Sequence, residues 1–306
     1  MKICVAGSGA FGSALALTLA HAGKSVTVFS RSGRCKLPML DTVSVSSDPN
    51  VMSTAQVILI AVPAQRLPDF LKSHKPRLTK AALVACCKGI NLETLEGPSA
   101  AIRRIAPNAV TAVLTGPSFA RDIANGLPTA LSLACADDAH GVELQNALST
   151  DTLRLYRTKD VVGAEIGGAL KNVIAIGCGA AIGAGLGESA RSALLTRGFG
   201  EMQTLASHLG AQPDTLLGLS GLGDLTLTST SNLSRNYCHG LALGGAPTGN
   251  ALDTVEGIAT ADATARLAGK LGLDLPVCLA INLVCKQKLS ITEAVTRLMT
   301  RPLKEE

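Results

Sequence analysis

A single lysine, Lys171, lies inside a run of small and apolar residues, GAEIGGALKNVIAIG, over 163–177. At helical spacing, its neighbours on the same face are two glycines, an alanine and a cysteine, so its own helix supplies no carboxylate partner. A lysine placed in this way loses water. Desolvation lowers the pKa of an amine toward the range in which it gives and takes protons near neutral pH. The alternative is a structural lysine whose stem follows a helix edge to solvent.

A glycine-rich hexapeptide, GSGAFG over 7–12, lies between a strand predicted over 2–6 and an apolar helix predicted over 13–22. In this strand–turn–helix context, G-x-G-x-x-G is typical of dinucleotide binding. Gly7 permits the tight turn, Gly9 lets the backbone approach a pyrophosphate, and Gly12 lets the helix pack on the strand. The alternative is a structural glycine-rich turn. A second strand predicted over 25–29 favours the dinucleotide site.

NAD sites usually place an acidic residue about 20 positions after the glycines, where it holds the ribose 2′-hydroxyl. Here Ser30 stands near that position, followed by Arg31 and Ser32, with Arg34 just beyond. A guanidinium attracts a 2′-phosphate, whereas a carboxylate would repel it. The sequence therefore predicts that NADP(H) is preferred and that NAD(H) is possible. The alternative is that these residues form an ordinary solvated loop.

Three apolar runs over 56–62, 81–86 and 109–114 are predicted to be parallel strands buried on both faces. Lys88 comes directly after the second run, and Gly116 and Ser118 come directly after the third. Ligands of open α/β sheets bind at the carboxyl ends of the strands. We therefore expect these residues to border one crevice, although each alone is also compatible with a surface loop.

The second half of the chain is predicted to be helical over 160–183, 189–210 and 260–271. Between the last two helices, a Ser/Thr-rich loop is predicted over 226–236, and it ends in Arg235 and Asn236. An arginine beside an asparagine can hold a phosphate by charge-assisted hydrogen bonds. The sequence therefore predicts an α/β Rossmann-type N-terminal domain over 1–160, followed by an all-α C-terminal domain over 161–306.

Composition limits the classes of partner. The chain has 306 residues, a net charge of +5 and only 2% aromatic residues, which excludes the basic, aromatic-rich surface of a single-stranded nucleic-acid binder. Nine cysteines without a C-x-x-C motif predict reduced thiols in a cytoplasmic protein and no metal site. The apolar stretch over 173–186 is short and glycine-rich, so we expect a buried helix and turn rather than a membrane span.

Seven segments, taken in order, resemble one family, the bacterial NAD(P)-dependent glycerol-3-phosphate dehydrogenases: GSGAFG, CCKGI, GPSFA, EIGGALKNVIAI, LLTRGFGEM, LSGLGDLTLTSTSNLSRN and VEGIATA. The resemblance extends from residue 7 to residue 261. It implies reversible reduction of dihydroxyacetone phosphate to sn-glycerol 3-phosphate, which feeds glycerophospholipid synthesis. A small phosphate is then the partner, and a homodimer is possible.

The resemblance also implies residue roles. Lys171 would be the general acid and base, and Asp224 would lie beside the substrate hydroxyls and orient the lysine. The residues that would contact the substrate are Lys88, Gly116, Ser118, Lys171, Asp224, Arg235 and Asn236. Beside the three glycines, the residues that would contact the cofactor are Ala10, Phe11, Arg31, Lys88, Ala120, Arg235 and Glu256.

The chain departs from the family pattern in three places: a short segment between Arg31 and Gln56, Phe11 in place of Trp or Tyr, and Ser189 in place of asparagine. Two other functions are compatible with the layout. One is a related two-domain reductase of a non-phosphorylated hydroxyacid. The other is an inactive NADP(H)-binding regulator, which the retention of Lys171 and Asp224 disfavours.

Overall fold

The computed structural model describes residues 1–247 and 255–302. Its N-terminal part contains one eight-stranded sheet with the spatial order β3-β2-β1-β4-β5-β6-β7-β8. The strands are β1 Lys2–Ala6, β2 Ser25–Phe29, β3 Ser44–Ser46, β4 Val57–Ile60, β5 Ala82–Ala85, β6 Thr111–Thr115, β7 Thr129–Cys135 and β8 Leu153–Thr158. The first six strands are parallel, β7 is antiparallel to β6, and β8 is parallel to β7.

Twelve α-helices lie within the described ranges. They are α1 Ala10–His21, α2 Leu67–His74, α3 Pro98–Ile105, α4 Ala120–Ala124, α5 Asp138–Leu148, α6 Val161–Gly183, α7 Gly187–His208, α8 Asp224–Ser229, α9 Arg235–Leu243, α10 Glu256–Leu271, α11 Pro276–Cys285 and α12 Ile291–Met299. Strands and helices make up the chain as far as β8, with no α-helix between β2 and β4, and only helices follow, which confirms the predicted fold class of a Rossmann-type domain followed by an all-α domain.

The central strands are buried on both faces because helices cover both sides of the sheet. All four residues of β4 are buried, as expected for a central parallel strand. Because β1, β4, β5 and β6 run in the same direction, their carboxyl ends lie along one edge of the sheet. This edge faces the helical part, where the end of β6 packs against α6.

The helical part is built around α6. Asp160 caps this helix by accepting a hydrogen bond from the Gly163 amide, at 2.9 Å. The helix is long and apolar enough to cross a membrane, but 89% of its apolar window is buried inside the protein. The predicted buried helix and turn are confirmed, since α6 ends at Gly183 and a turn follows.

Two predictions of local structure were wrong, and one short strand was missed. The Ser/Thr-rich segment is not one loop, because α8 covers its first residues and α9 begins at Arg235. The serine and threonine side chains cap or back-bond helices here, as Ser234 does when it accepts from the Tyr237 amide. Helix α10 begins at Glu256, one turn before the predicted start. The short strand β3 was not predicted, because three residues carry too little periodicity.

Candidate active site

The centre of the site is an ion pair between Lys171 of α6 and Asp224, the first residue of α8. Lys171 Nζ lies 2.6 Å from Asp224 Oδ1 and donates a second hydrogen bond to Thr228 Oγ1, at 2.8 Å. Thr228 Oγ1 in turn lies 3.3 Å from Asp224 Oδ1. The ammonium group is thus held by two acceptors that lie one turn apart on the same helix.

A second lysine shares the carboxylate. Lys88, just past the end of β5, places Nζ 2.6 Å from Asp224 Oδ2 and 3.1 Å from the Gly116 carbonyl oxygen, just past β6. The Asp224 side chain is fully buried, and the side chains of Lys171 and Lys88 are 8% and 13% exposed. Because two ammonium groups share one carboxylate, the cluster keeps a net positive charge. This charge suits an anionic substrate, or an oxygen that becomes negative during reaction.

Burial lowers the pKa of Lys171 to about 8. The Asp224 carboxylate raises the pKa of Lys171 because it favours the charged amine. The neighbouring Lys88 charge lowers that pKa further. Lys171 is poised to exchange a proton close to neutral pH, as a general acid and base requires.

Close backbone packing brings Asp224 to the lysine. A π-helical turn over Leu219–Gly223 precedes Asp224 and lies against α6. A Cβ added at Gly167 would stand 2.3 Å from the Ser220 carbonyl oxygen, and one added at Gly221 would stand 2.1 Å from the Leu216 carbonyl oxygen. Only glycine fits at either position. The small residues beside Lys171 in the sequence thus make room for the segment that carries its partner.

The candidate phosphate residues begin α9. Ser234 caps the helix and Arg235, exposed to solvent, is its first residue, so a basic side chain lies where backbone N–H groups already favour an anion. The Asn236 side chain donates to Asn172 Oδ1, at 2.8 Å, and accepts from the Gly257 amide, at 3.0 Å. Asn236 therefore joins α9 to α10 and to the residue after Lys171, and its side-chain amide retains one free N–H.

The dinucleotide candidates lie at the carboxyl end of β1. Gly7 has φ of 118°, and a Cβ there would stand 2.5 Å from the Ala61 carbonyl oxygen. Gly12 packs equally closely, because its Cβ would meet the Gly7 carbonyl oxygen at 2.1 Å. Around Gly9 there is open space instead. This open space at the N-terminus of α1 fits the pyrophosphate of a dinucleotide. Gly7 and Gly12 keep it open, because they allow the turn and the helix to pack closely.

Five further candidates lie in the N-terminal part of the molecule, after β1, β2 and β6. Ala10 is exposed at the first position of α1, and Phe11 packs partly buried against the sheet core. Ala120 begins α4, and Ser118 Oγ turns back to the Gly116 carbonyl oxygen, at 3.3 Å. Arg31 is exposed two positions after the end of β2.

Glu256 begins α10 and faces the basic cluster. Burial raises the pKa of its carboxyl group, against the effects of the Ala64 amide and of the Arg235 charge. Lys88 and Lys171 also act on Glu256 electrostatically. Groups from the end of β4, from the lysine pair and from α9 thus all act on this one carboxyl group.

Sequence reasoning missed Thr228 and Asn172. Thr228 follows Asp224 by four positions, so a helix over this segment would have predicted that both face Lys171; the predicted loop concealed that signal. Asn172 directly follows Lys171, but its link to Asn236 joins residues that are 64 positions apart. No local pattern indicates that contact. Within the described residues, no group of three or more His, Cys, Asp or Glu side chains is arranged to hold a metal ion.

Comparisons with known proteins agree with this geometry. Two family models match, described as the N-terminus of NAD-dependent glycerol-3-phosphate dehydrogenase over residues 35–141 and its C-terminus over residues 160–296. The glycerol-3-phosphate dehydrogenases [NAD(P)+] of a Ruegeria species and of Paracoccus denitrificans are 52% and 51% identical, and each alignment covers both chains completely. The solved structure of the glycerol-3-phosphate dehydrogenase from Coxiella burnetii has a TM-score of 0.91 at 32% identity, covering 98% of this chain and 99% of that chain.

Proposed function

The chain belongs to the NAD-dependent glycerol-3-phosphate dehydrogenase family, and from this premise we propose that it reduces dihydroxyacetone phosphate reversibly to sn-glycerol 3-phosphate with Lys171 as proton donor. The observation that carries the proposal is the buried contact between Lys171 and Asp224, 2.6 Å long, in a chain that also forms an open dinucleotide cradle. When bound, NADPH or NADH supplies the hydride that reduces the carbonyl carbon. Everything else in the reaction falls to the residues of the chain.

Lys171 gives its proton to the carbonyl oxygen of the substrate in the reductive direction. In the oxidative direction the neutral amine takes the proton from the carbinol oxygen. Asp224 and Thr228 each accept a hydrogen bond from Nζ, so they fix the direction in which the third N–H points. A pKa of about 8 allows Lys171 to serve in both directions close to neutral pH.

Lys88 holds the other side of Asp224 and adds positive charge near the reacting oxygen. Its bonds to Asp224 and to the Gly116 carbonyl fix its position between the ends of β5 and β6. We assign the substrate phosphate to Arg235 and Asn236 at the start of α9. Charge-assisted hydrogen bonds of this kind are the stronger ones in proteins, and a guanidinium fits phosphate oxygens in pairs.

The other assignments follow from the same site. We propose that NADP(H) is the preferred cofactor, that the enzyme acts in the cytoplasm, and that its product enters glycerophospholipid synthesis. All nine cysteines lie in the described ranges and are free thiols, as a reducing compartment allows. We also propose boundaries of 1–160 and 161–306 for the two domains, and a homodimer as the assembly.

One assay separates this function from its two alternatives. The loss of reduced-nicotinamide absorbance is followed with dihydroxyacetone phosphate, with dihydroxyacetone and with a non-phosphorylated 2-keto acid, each with NADPH and with NADH. Rapid oxidation with the phosphorylated substrate alone is the expected result. Turnover of a non-phosphorylated 2-keto acid instead would favour the hydroxyacid reductase. Cofactor binding without any turnover would favour the inactive regulator.

A further inference from the structure

Helix α6 packs in two hydrophobic cores. Val161 and Ala164, in its first turns, belong to the same buried cluster as Ile102 of α3 and the sheet strands. Leu170 and Val173 belong to the buried cluster of the helical part. Because an α-helix is rigid over a few turns, the packing of its first turns on the N-terminal part also sets the position of Lys171 further along.

Glu165 ties these first turns to α3. Its Oε1 accepts a hydrogen bond from the Ser99 amide, at 2.5 Å, and its Oε2 accepts one from Ser99 Oγ, at 2.7 Å. Ser99 is the second residue of α3, and the N-cap residue Gly97 has no side chain to cap the helix. The Glu165 carboxylate therefore caps α3 from another helix, at the end where the helix dipole favours a negative charge.

Helix α3 carries this restraint to the lysine pair. It packs against β5 and β6. Lys88 comes just after β5, and the Gly116 carbonyl that holds its ammonium group comes just after β6. The position of Lys88 thus depends on the strands that α3 covers, whereas the position of Lys171 depends on α6. Glu165 is bonded across the junction between these two supports.

The same face of α6 also touches the strand ends. A Cβ added at Gly168 would stand 2.6 Å from Thr115 Oγ1 and 3.6 Å from Lys88 Cγ. Thr115 is 2% exposed, and its hydroxyl has no hydrogen-bond partner in the described residues. The helix is therefore seated against the sheet edge with no side chain between them, so a small movement of α6 changes the space around both lysines.

We propose that Glu165 is a positioning residue for proton transfer, because its bonds to Ser99 hold Lys171 at the correct distance from Lys88. The contacts form a closed ring, in which α6, Glu165, α3 and the strand ends lead from one lysine to the other and Asp224 bridges them. The inference rests on the proposed function in taking Lys171 as the group that carries the proton. Glu165 acts through two helices and needs no contact with the substrate.

A second glutamate provides a matched control. Glu201 of α7 accepts hydrogen bonds from the Val277 and Cys278 amides, at 2.5 and 2.8 Å, and so caps α11 from another helix. Burial raises the pKa of both glutamates. The two residues therefore form the same kind of contact, but α7 and α11 both lie in the helical part, so the Glu201 cap does not join α6 to the sheet.

The first test separates geometry from charge at Glu165. Glu165→Gln keeps an acceptor for the Ser99 amide and offers an N–H to Ser99 Oγ, so kcat with dihydroxyacetone phosphate should stay within about threefold of the parent. Glu165→Ala removes both contacts and should lower kcat by about 10- to 100-fold, since a small misplacement of reacting groups is this costly. Titration calorimetry should show nearly unchanged NADPH affinity and stoichiometry in both variants. Parent kcat in the alanine variant, or an equal loss in the glutamine variant, would overturn the proposal.

Glu201→Ala shows whether lost stability alone lowers the rate. Urea unfolding should show that this variant is destabilised at least as much as Glu165→Ala, because Glu201 is the more buried of the two. Its kcat per NADPH-binding site should nevertheless stay within about twofold of the parent. An equal loss of kcat in the two alanine variants would make Glu165 a residue of the fold and overturn its positioning role.

A double-mutant cycle tests whether Glu165 acts through Ser99. Ser99→Ala removes the hydroxyl donor and keeps the amide, so alone it should lower kcat by about threefold. In the Glu165→Ala background the same substitution should cause no further loss, because the partner of the hydroxyl is already absent. Independent, multiplicative losses would show that the contact with Ser99 is not the cause and would overturn the proposal.

The last test needs no turnover. Nuclear magnetic resonance of lysine labelled with ¹³C at Cε follows the titration of Lys171, and Lys171→Arg assigns its signal. Burial is the main reason that this pKa is lowered to about 8, and the charges that act on it, Asp224 and Lys88, stay in place. Looser packing of α6 admits water, so in Glu165→Ala the midpoint should rise by about 0.5 or more. Glu201→Ala should keep the parent midpoint.

This measurement also distinguishes the two proposals. An unchanged midpoint in Glu165→Ala would overturn the positioning role even if the parent reduces dihydroxyacetone phosphate. A raised midpoint in Glu165→Ala alone would support the positioning role. If the parent then failed to turn over dihydroxyacetone phosphate, the proposed function would be refuted and the positioning of Lys171 by Glu165 would stand.

Discussion

The molecule presents two groups of cations that differ in almost every physical respect. Lys171 and Lys88 are buried, and they share the Asp224 carboxylate through contacts of 2.6 Å each. Arg31 and Arg34, with Lys36, lie exposed on a loop at the other end of the cofactor cradle and have no acidic partner in the described residues. The buried lysines are held in one geometry by the Asp224 carboxylate. The exposed cations are positioned only by the ordered backbone of their loop.

Burial explains why the two groups suit different tasks. Desolvation lowers the pKa of Lys171 to about 8, so this residue can change its protonation state during a reaction. An exposed guanidinium stays charged at any pH the enzyme meets, so it can attract a phosphate but cannot exchange protons. We therefore expect changes in the buried group to alter the rate, and changes in the exposed group to alter only the choice of cofactor.

Removal of the buried amine should have the largest effect. For Lys171→Ala we expect kcat to fall by about 10² to 10⁴, the usual contribution of a positioned acid and base, with cofactor affinity nearly unchanged. Stopped assays give kcat, and titration calorimetry gives the affinity for NADPH. A folded variant with parent kcat would reduce Lys171 to a structural lysine.

Loss of the buried carboxylate should affect stability as well as rate. Asp224→Asn leaves two buried ammonium groups without a counter-charge, which typically costs about 3 to 5 kcal/mol of unfolding free energy. The matched control is Asp262→Asn, which removes the acid of the partly exposed pair with Lys286 and should cost less than about 1 kcal/mol. Urea unfolding measures both. Equal destabilisation by the two substitutions would mean that burial does not distinguish the pairs.

Arg235→Ala tests the proposed contact with the substrate phosphate. One hydrogen bond to a charged group is worth about 1.5 to 3 kcal/mol, so kcat/KM for dihydroxyacetone phosphate should fall by about 10- to 100-fold. The value for unphosphorylated dihydroxyacetone should barely change. Both are measured at saturating NADPH, so that weaker cofactor binding does not imitate weaker phosphate binding. A common loss with both substrates would assign Arg235 to the cofactor or to the fold.

The smallest expected effect belongs to Thr228. Thr228→Val removes one acceptor from the Lys171 ammonium and should lower kcat by about fivefold, the equivalent of one ordinary hydrogen bond near 1 kcal/mol. Thr228→Ser keeps the hydroxyl and should restore the rate. If serine does not restore kcat in a variant with parent stability, the threonine methyl group and its packing are what matter.

Short-range and long-range features of the molecule differed in how far the sequence predicted them. The glycine pattern and the apolar strands predicted the sheet and the cradle, because tight turns and buried strands depend on local residue types. Lys88 and Gly116 were correctly expected at one sheet edge, since parallel strands end together. Each of these features depends on residues that are close together in the sequence, so the sequence alone predicts it.

The partners of Lys171 could not be found in this way. Asp224 and Thr228 follow Lys171 by 53 and 57 positions, so their contacts depend on how α8 packs against α6. That packing in turn needs Gly167 to let the Ser220 carbonyl approach, a contact no periodicity reveals. Only the family resemblance pointed to Asp224. The contact between the Ser8 and Ser30 hydroxyls was missed for the same reason, because it joins the ends of two strands.

The central claim is that Lys171 carries the proton, and the pH dependence of kcat in both directions tests it most directly. The reductive reaction needs the protonated amine, so its kcat should fall as the pH rises through about 8. The oxidative reaction needs the neutral amine, so its kcat should rise over the same range. In Lys171→Arg, whose guanidinium stays protonated, residual activity should lose this dependence. Parent profiles that are flat from pH 6 to 10, or an inflection near 8 that persists in the arginine variant, would contradict the account.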